Sequence, residues 1–523
     1  MSSHPEVLNP VGVGSAKRAI VAAGWRRFVV PSLSDFVFIF LIVWLFIATK
    51  PGWNVLLDDG DTGWHIRVGE SILATGTVPM TDPFSFSKPG APWYAWEWLS
   101  EVAMAGLHGW GGLKAVTLAA GVMIALFGVL LLRYMLWRGA NTLIALLVTL
   151  LVFGAASVHF LARPHLFTMV LLVIALWMLE ADHRKPSWRV WLLVPLTVLW
   201  TNLHGGFLVL FVALGGLVVG RLLEGWVDPE LRSSRWREAR RYSVLGVLCA
   251  VSSVVNPYGI ELHRHILAYL RSDWIKQVVA EFQSPSFRAE NVLQYEIVLL
   301  VGLMAAGWLL SRKKLVEALW ILVWAHFSLS SARHIPIFII FAGPLVALEL
   351  TRLWEDWSEH AGPKTVVGIL DRLSRDLNSG FGRTSLWPLA FVVFLALSGP
   401  WLKWPTDFPN LGIPVAMIHR NEDRIRGARV LADDEYGDYL IYAYYPEQRV
   451  FVDGRSDFYG PEIGGKYLAL LYGEPKWKSI LAEYDFDLVL IPAKRPLASL
   501  LRQSPDWALV DSNDKAVLFA PRR

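Results

Sequence analysis

Long apolar runs separated by short polar turns dominate the chain up to about residue 400. Most of these runs approach roughly 20 residues, the length that an α-helix needs to cross the hydrocarbon core of a bilayer. We predict eleven membrane-spanning helices, at 35–49, 112–134, 141–158, 166–181, 188–203, 205–225, 242–257, 294–311, 315–331, 335–351 and 386–402. The pattern therefore predicts a polytopic α-helical membrane protein.

Two segments depart from this pattern. The first predicted outer loop, residues 50–111, contains an amphipathic helical pattern at Gly63–Leu73. A dense aromatic stretch at 92–98 follows, which is typical of a segment at the membrane interface. The second segment begins after residue 402, where short apolar runs alternate with two helical patterns, which predicts a small α/β domain. The apolar runs are 428–431, 449–452, 488–491, 508–510 and 516–519, and the helical patterns are 461–471 and 475–483.

The chain therefore divides into three predicted parts. Residues 1–34 form an N-terminal segment, residues 35–402 form the transmembrane domain with its first outer loop at 50–111, and residues 403–523 form the C-terminal α/β domain.

Composition narrows the functional class. Hydrophobic residues make up 54% of the 523 residues and charged residues only 18%, which excludes an ordinary soluble enzyme. The net charge of +4 follows from basic residues in predicted cytoplasmic loops, so it gives no indication of nucleic-acid binding. The single cysteine, Cys249, excludes an intramolecular disulfide and a cysteine metal site.

The distribution of Lys and Arg predicts the orientation. Cytoplasmic loops retain basic residues, and the N-terminal segment carries Lys17, Arg18, Arg26 and Arg27. With the N-terminus in the cytoplasm, the loop at 50–111 and the C-terminal domain both lie outside. Nucleotide sugars are cytoplasmic metabolites, so a sugar donor on the outer face would be carried on a lipid.

The first outer loop holds an unusual group of charged side chains. Asp59 and Asp61 lie two positions apart, and His65 follows one helical turn later. A carboxylate at this place can accept a proton from a hydroxyl or, with its neighbour, bind Mg²⁺ or Mn²⁺. The same residues also fit a solvated turn and a helix N-cap.

Other polar residues collect at the predicted outer ends of helices. Ionisable side chains at the rim of a helix bundle usually face its interior or a wet cavity, although each one alone also fits a helix terminus. Arg163 and Arg333 suit a phosphate, which accepts paired hydrogen bonds from a guanidinium group. The full set of candidate substrate- and phosphate-binding residues is His65, Glu97, Arg163, His165, Asn202, His204, Arg333 and His334.

These residues resemble motifs of the GT-C class of glycosyltransferases, in a bacterial branch of that class. The motifs are Asp59-Gly60-Asp61-Thr62-Gly63-Trp64-His65, Thr81-Asp82-Pro83-Phe84, Trp96-Glu97-Trp98, Arg163-Pro164-His165 and Asn202-Leu203-His204-Gly205-Gly206. The resemblance implies a plasma-membrane enzyme of cell-envelope glycan synthesis. It implies transfer of a sugar from a polyprenyl-phosphate carrier to a glycan, lipid or protein acceptor, with Asp61 or Asp59 as the base.

Two other classes fit a polytopic chain. A lipid or polysaccharide transporter would also have many spans, but its polar groups are expected at the bilayer midplane rather than at one face. A non-catalytic membrane assembly protein would use the 403–523 domain for binding and leave the loop carboxylates as solvated surface.

Overall fold

The computed structural model describes residues 28–48, 52–289, 292–399 and 402–522. Most of the predicted N-terminal segment, including Lys17, Arg18, Arg26 and Arg27, lies outside the described residues, as do the last residue of the predicted span 35–49 and residues 400–401 of the span 386–402.

Helices make up most of the described chain. The helices before residue 260 are α1 (Leu33–Val43), α2 (Asp61–Thr75), α3 (Trp98–Arg138), α4 (Thr142–Ala156), α5 (His165–Arg184), α6 (Leu193–Leu203), α7 (Leu208–Val227) and α8 (Arg232–Ser252). They are followed by α9 (Ile260–Arg271), α10 (Asp273–Val278), α11 (Val292–Ser311), α12 (Leu315–Ser330), α13 (Ile335–His360), α14 (Val366–Phe381) and α15 (Trp387–Leu397).

Six helical segments within the described residues are long and apolar enough to cross a membrane. They are Trp98–Arg138, Thr142–His159, His165–Arg184, Gly205–Val227, Val292–Ser311 and Ala332–His360. Shorter apolar helices lie at Leu33–Phe46, Leu315–Ser330 and Trp387–Leu397. The protein is a multi-span helical membrane protein, and the predicted number of eleven spans is not confirmed.

Two predicted spans have a different local structure. The span 188–203 is a 3-10 turn at Trp188–Leu192 followed by the eleven-residue helix α6. The span 242–257 lies in α8, whose first half carries several arginines and whose helical conformation ends at Ser252. Neither segment is among the six described helical segments that are long and apolar enough to cross a membrane.

The C-terminal region contains a small mixed sheet. Its strands are β1 (Val430–Ala432), β2 (Leu488–Pro492), β3 (Trp507–Ser512) and β4 (Ala516–Pro521), in the order β1-β2-β4-β3. β1 pairs with β2 in parallel, and the other pairs are antiparallel. The accompanying helices are α16 (Val415–Arg420), α17 (Glu422–Ile425), α18 (Asp434–Tyr444), α19 (Ser456–Leu471), α20 (Trp477–Tyr484) and α21 (Pro496–Gln503).

The apolar run at 449–452, which we predicted as a strand, does not join this sheet. Its backbone pairs instead with the first outer loop, where the Val450 amide donates to the Phe84 carbonyl at 3.0 Å and the Phe86 amide donates to the Val450 carbonyl at 2.9 Å. The run therefore connects the C-terminal region to the first outer loop, between α1 and α3.

Helix α2 also packs directly against the C-terminal helix α18. A Cβ atom at Gly63 would lie 2.7 Å from the Tyr442 Cβ, so only glycine permits this approach. The Arg67 guanidinium donates to the Tyr442 carbonyl at the end of α18. The candidate residues at the start of α2 are therefore held between the helix bundle and the C-terminal region.

A buried ion network strengthens this junction. Arg455 lies 2.8 Å from an Asp82 oxygen of the first outer loop and 2.6 Å from an Asp453 oxygen. Tyr459 donates to the same Asp453 carboxylate at 2.7 Å. The guanidinium also lies over the Trp93 ring, 4.7 Å from its centroid. Trp93 is therefore part of the protein interior, although its sequence context is typical of an interfacial residue.

We expect Arg455→Met to destabilise the protein by about 3–5 kcal/mol, because the substitution leaves the carboxylates of Asp82 and Asp453 buried without their cation. Thermal unfolding of the detergent-purified protein measures this loss. Arg426→Met is the control, since Arg426 is half exposed and pairs with the surface residues Glu422 and Glu447. Equal melting temperatures for the two variants would contradict a stabilising role of the network.

Candidate functional site

Three carboxylates surround the Arg163 guanidinium at one end of the helix bundle. Its Nη1 lies 2.8 Å from Asp59 Oδ2, and its Nη2 lies 2.6 Å from Asp61 Oδ2. Glu281 Oε1 lies 3.4 Å from Nη1. Although burial opposes ionisation of Glu281, Arg163 lowers the pKa of this carboxyl group to about 2. Arg163 is therefore a single cation shared by three carboxyl groups.

Asp61 occupies the first position of α2, and both of its carboxylate oxygens have partners. Trp64 Nε1 donates to Oδ1 at 3.0 Å, and Arg163 contacts Oδ2. Burial raises the pKa of Asp61 to about 7 against the opposing effect of Arg163. A carboxyl group that titrates near neutral pH is suited to proton transfer.

The C-terminal region covers Asp61 closely. A Cβ atom at Gly454 would lie 2.0 Å from Asp61 Oδ1, so this segment can approach only because residue 454 is glycine. Asp438 of α18 accepts the Gly454 amide at 2.8 Å. Burial, with the nearby charges of Asp61 and Asp453, holds the pKa of Asp438 well above its usual range. The C-terminal region therefore forms part of the environment of Asp61.

A second cluster centres on Glu97, immediately before α3. Its Oε1 lies 3.3 Å from His204 Nε2, and its Oε2 lies 3.6 Å from His65 Nε2. Burial holds the pKa of both imidazoles well below the usual range for histidine, so both rings are neutral at pH 7. His65 is 1% exposed and lies behind Glu97, whereas His204 lies at the turn before α7.

A cavity of about 610 Å³ joins the two clusters. Its polar wall includes Glu97, Arg163, His165, His204, Glu281, Arg333 and His334. Its apolar wall includes Leu208, Val209 and Val212 of α7, Phe327 of α12 and Ile337 of α13. The cavity lining thus combines cationic and imidazole side chains with apolar side chains of α7, α12 and α13.

Solved structures with a similar fold are oligosaccharyltransferases. Archaeal AglB from Archaeoglobus fulgidus, in complex with an inhibitory peptide and a dolichol-phosphate, matches with a TM-score of 0.58 at 12% identity, covering 88% of this chain and 69% of that chain. The apo form of the Archaeoglobus fulgidus oligosaccharyltransferase matches with a TM-score of 0.56 at 11% identity, with the same coverage.

The chain is similar in structure to GT-C glycosyltransferases over most of its length.

ArnT from Cupriavidus metallidurans, bound to undecaprenyl phosphate, is 14% identical over 93% of this chain and 97% of that chain, with a TM-score of 0.46. No protein-family model and no curated protein sequence matches the chain.

Six of the eight predicted binding residues lie at the cavity wall: Glu97, Arg163, His165, His204, Arg333 and His334. Arg333 donates to the Tyr269 hydroxyl at 3.1 Å and lies over the Phe282 ring. His165 Nε2 lies 2.6 Å from the His159 carbonyl.

Asn202 does not reach the cavity wall. Its Oδ1 accepts from Trp98 Nε1 at 2.7 Å, and its Nδ2 donates to the carbonyls of Val198 and Val255 at 2.8 Å. The amide is therefore used to join α3, α6 and the end of α8. This packing role explains why Asn202 is separated from the residues with which we grouped it.

Glu281 is the residue of this cluster that the sequence did not reveal. It lies in a 3-10 turn at Ala280–Phe282, between α10 and α11, and its chain neighbours give it no distinguishing pattern. Its contact with Arg163 depends on folding across 118 positions of sequence. The proximity of Asp438 to Asp61 likewise depends on the folded chain, because the two residues lie far apart in sequence.

The predicted metal ligands Asp59 and Asp61 already share a cation. The Oδ2 atoms of both residues contact Arg163, so a divalent ion could bind to these atoms only after the guanidinium moved away. Among the described residues, no group of three or more His, Cys, Asp or Glu side chains is arranged to hold a metal. Binding of Mg²⁺ or Mn²⁺ at Asp59 and Asp61 stays a prediction.

Proposed function

We propose that the protein is a membrane glycosyltransferase that moves a sugar from a polyprenyl-phosphate-linked donor to an acceptor hydroxyl. The observation that carries this proposal is the cluster of Asp59, Asp61, Glu281 and Arg163 beside a cavity with cationic and aliphatic walls. The shared fold supports it, because the AglB structure of that fold contains a dolichol-phosphate.

The donor phosphate binds at the polar wall of the cavity. Arg163 and Arg333 offer planar guanidinium groups that match phosphate oxygens, and the positive charge stabilises the phosphate as it leaves the sugar. The polyprenyl chain lies along the apolar side chains of α7 and α13. The two walls together match a ligand with an anionic head and an apolar tail.

Asp61 acts as the general base. It takes the proton of the acceptor hydroxyl as the hydroxyl oxygen attacks the anomeric carbon, and the bond between that carbon and the phosphate oxygen breaks. Asp59 is the alternative base, and its Oδ1 also holds the Asp61 amide at 2.8 Å. Arg163 holds both carboxylates in place, and no step in this scheme requires a metal ion.

We propose that the protein lies in a bacterial plasma membrane, with its N-terminus in the cytoplasm and the site outside. The acceptor is a glycan, lipid or protein. Membrane lipids surround the helix bundle, and we propose no nucleic-acid partner.

The donor class is tested by identifying the lipid bound to the protein. Lipids extracted from wild-type protein and from Arg333→Gln, both purified in mild detergent, are compared by mass spectrometry. We expect polyprenyl phosphate, with or without a sugar, to be enriched in the wild-type sample and depleted in the variant. Enrichment of ordinary phospholipids alone in both samples would contradict a polyprenyl-phosphate donor.

A further inference from the structure

Glu97 faces the cavity, and Glu281 is the other carboxyl residue of its lining. Glu97 is 9% exposed, whereas Asp61 lies beneath the segment that contains Gly454. The two Glu97 oxygens point toward different imidazoles, with His204 at 3.3 Å and His65 at 3.6 Å. Proton positions on these rings decide what Glu97 can do.

The hydrogen bonds around His204 place its proton on Nε2. Trp200 Nε1 donates to Thr168 Oγ1 at 2.8 Å, which leaves the Thr168 hydroxyl free to donate to His204 Nδ1, also at 2.8 Å. The Gly206 amide donates to the same Nδ1 at 3.0 Å. Because Nδ1 accepts twice, the neutral ring carries its hydrogen on Nε2 and donates to Glu97 Oε1.

Behind Glu97 lies a second buried carboxyl group. His65 Nδ1 is 3.2 Å from Glu101 Oε1, and both residues are only 1% exposed. Glu101 Oε2 has no hydrogen-bond partner within the described part of the chain. The three side chains form a continuous line from the cavity into the interior, in the order Glu97, His65, Glu101.

We propose that Glu97 is a second catalytic residue, the general acid that protonates the leaving phosphate, and that His65 and Glu101 position its carboxyl group. This proposal rests on the proposed function. As the anomeric carbon separates from the phosphate oxygen, the bonding electron pair stays on that oxygen, which takes the Glu97 proton. The acceptor proton goes to Asp61, so the reaction as a whole consumes and releases no proton.

The catalytic cycle closes through the cavity. Glu97 lines the cavity, so after it has lost its proton, the proton that Asp61 accepted returns to it through solvent. Glu101 and His65 are positioning groups behind Glu97, whereas Glu97 contacts the substrate.

The surroundings of Glu97 favour its protonated form. Burial raises the pKa of Glu97 to about 8; Asp61 and Asp457 act in the same direction, while Arg163 and Arg333 oppose them. The two neutral imidazoles add no positive charge. A general acid is active only below its pKa, so the rate of transfer is expected to fall as the pH rises through about 8.

The test combines a pH profile with a spectroscopic readout. For Glu97→Gln we expect transfer at pH 7 to be about 100-fold slower than in the wild type. The low rate of this variant should not fall further as the pH rises above about 8. Glu97→Asp, which keeps a carboxyl group, should retain that alkaline fall at a reduced maximal rate. The control Glu261→Gln changes an exposed residue and should leave both rate and profile unchanged.

Infrared difference spectroscopy reads the protonation directly, without any need for activity. The wild-type spectrum minus that of Glu97→Gln should show a carboxylic-acid carbonyl band at about pH 6 that disappears as the pH rises through about 8. A difference spectrum without this band, or a Glu97→Gln rate close to that of wild type, would overturn the assignment of Glu97. Absence of sugar transfer by the wild-type protein itself contradicts the proposed function, and the infrared titration then still decides the protonation of Glu97.

Discussion

Asp61→Asn is expected to lower the rate of sugar transfer by about 100-fold or more while the protein remains folded. The amide has the shape of the carboxylate but does not accept a proton at neutral pH, so the general base is lost. The asparagine side chain would still offer a carbonyl oxygen to Trp64 Nε1, which donates to Asp61 Oδ1 in the wild type. Initial rates of transfer from a polyprenyl-phosphate-linked sugar, measured with matched amounts of folded protein, give the result.

The pH profile distinguishes loss of a base from general damage. The base must be ionised, so the wild-type rate should rise with pH through about 7, the pKa of Asp61. Asp61→Asn should lose this rise, and Asp59→Asn should retain it with a smaller loss of rate. The matched control is Glu70→Gln on the same helix, because Glu70 pairs with Arg67 and His108 rather than with any residue of the cavity wall. An Asp61→Asn variant with wild-type rate and profile would exclude Asp61 as the base.

Arg163→Gln is expected to cause the second largest loss, again about 100-fold, and to move the pH profile. Arg163 contacts Asp59, Asp61 and Glu281, and it is one of two guanidinium groups at the polar wall of the cavity. Because its charge lowers the pKa of Asp61, its removal raises that pKa above about 7. The rise in rate should therefore shift to higher pH, and the affinity for polyprenyl phosphate should fall.

Arg163→Lys separates charge from geometry. Lysine keeps the positive charge but cannot contact Asp59 and Asp61 through two separate nitrogens of one planar group. We expect a smaller shift of the pH profile than in Arg163→Gln, with a clear loss of rate. Arg264→Gln is the control, since Arg264 is exposed and pairs only with Glu261 among the described contacts. An unshifted pH profile in Arg163→Gln would contradict the electrostatic link between Arg163 and Asp61.

Local patterns in the sequence predicted the elements that depend on nearby residues. The amphipathic pattern at Gly63–Leu73 is present as α2, because its apolar positions recur at helical spacing. The run at 449–452 has an equally clear apolar pattern, yet it pairs with Phe84 and Phe86 rather than with the sheet. No local pattern contains that information, since the partner lies in the first outer loop, far earlier in the chain.

The same distinction applies to the site. The distribution of Lys and Arg predicted that Asp59, Asp61 and Arg163 lie on the same side of the membrane. The structure brings the three side chains into direct contact. Glu281 could not be recognised in the same way, because it lies in a polar loop where an acidic residue is ordinary. Asn202 has the sequence context of a site residue, but its amide is fully used between helices. Side chains that bridge distant segments become interpretable only when their partners are known.

The central claim, transfer of a sugar from a lipid phosphate, is tested most directly by reconstituting the purified wild-type protein in liposomes. The liposomes contain a polyprenyl-phosphate donor with a radiolabelled sugar, and extracted envelope glycans and lipids serve as acceptors. We predict that label moves into a covalent product while unglycosylated polyprenyl phosphate is released in equal amount, and that Asp61→Asn does not support this exchange. Donor that stays intact, or that crosses the bilayer without covalent transfer, would contradict the account.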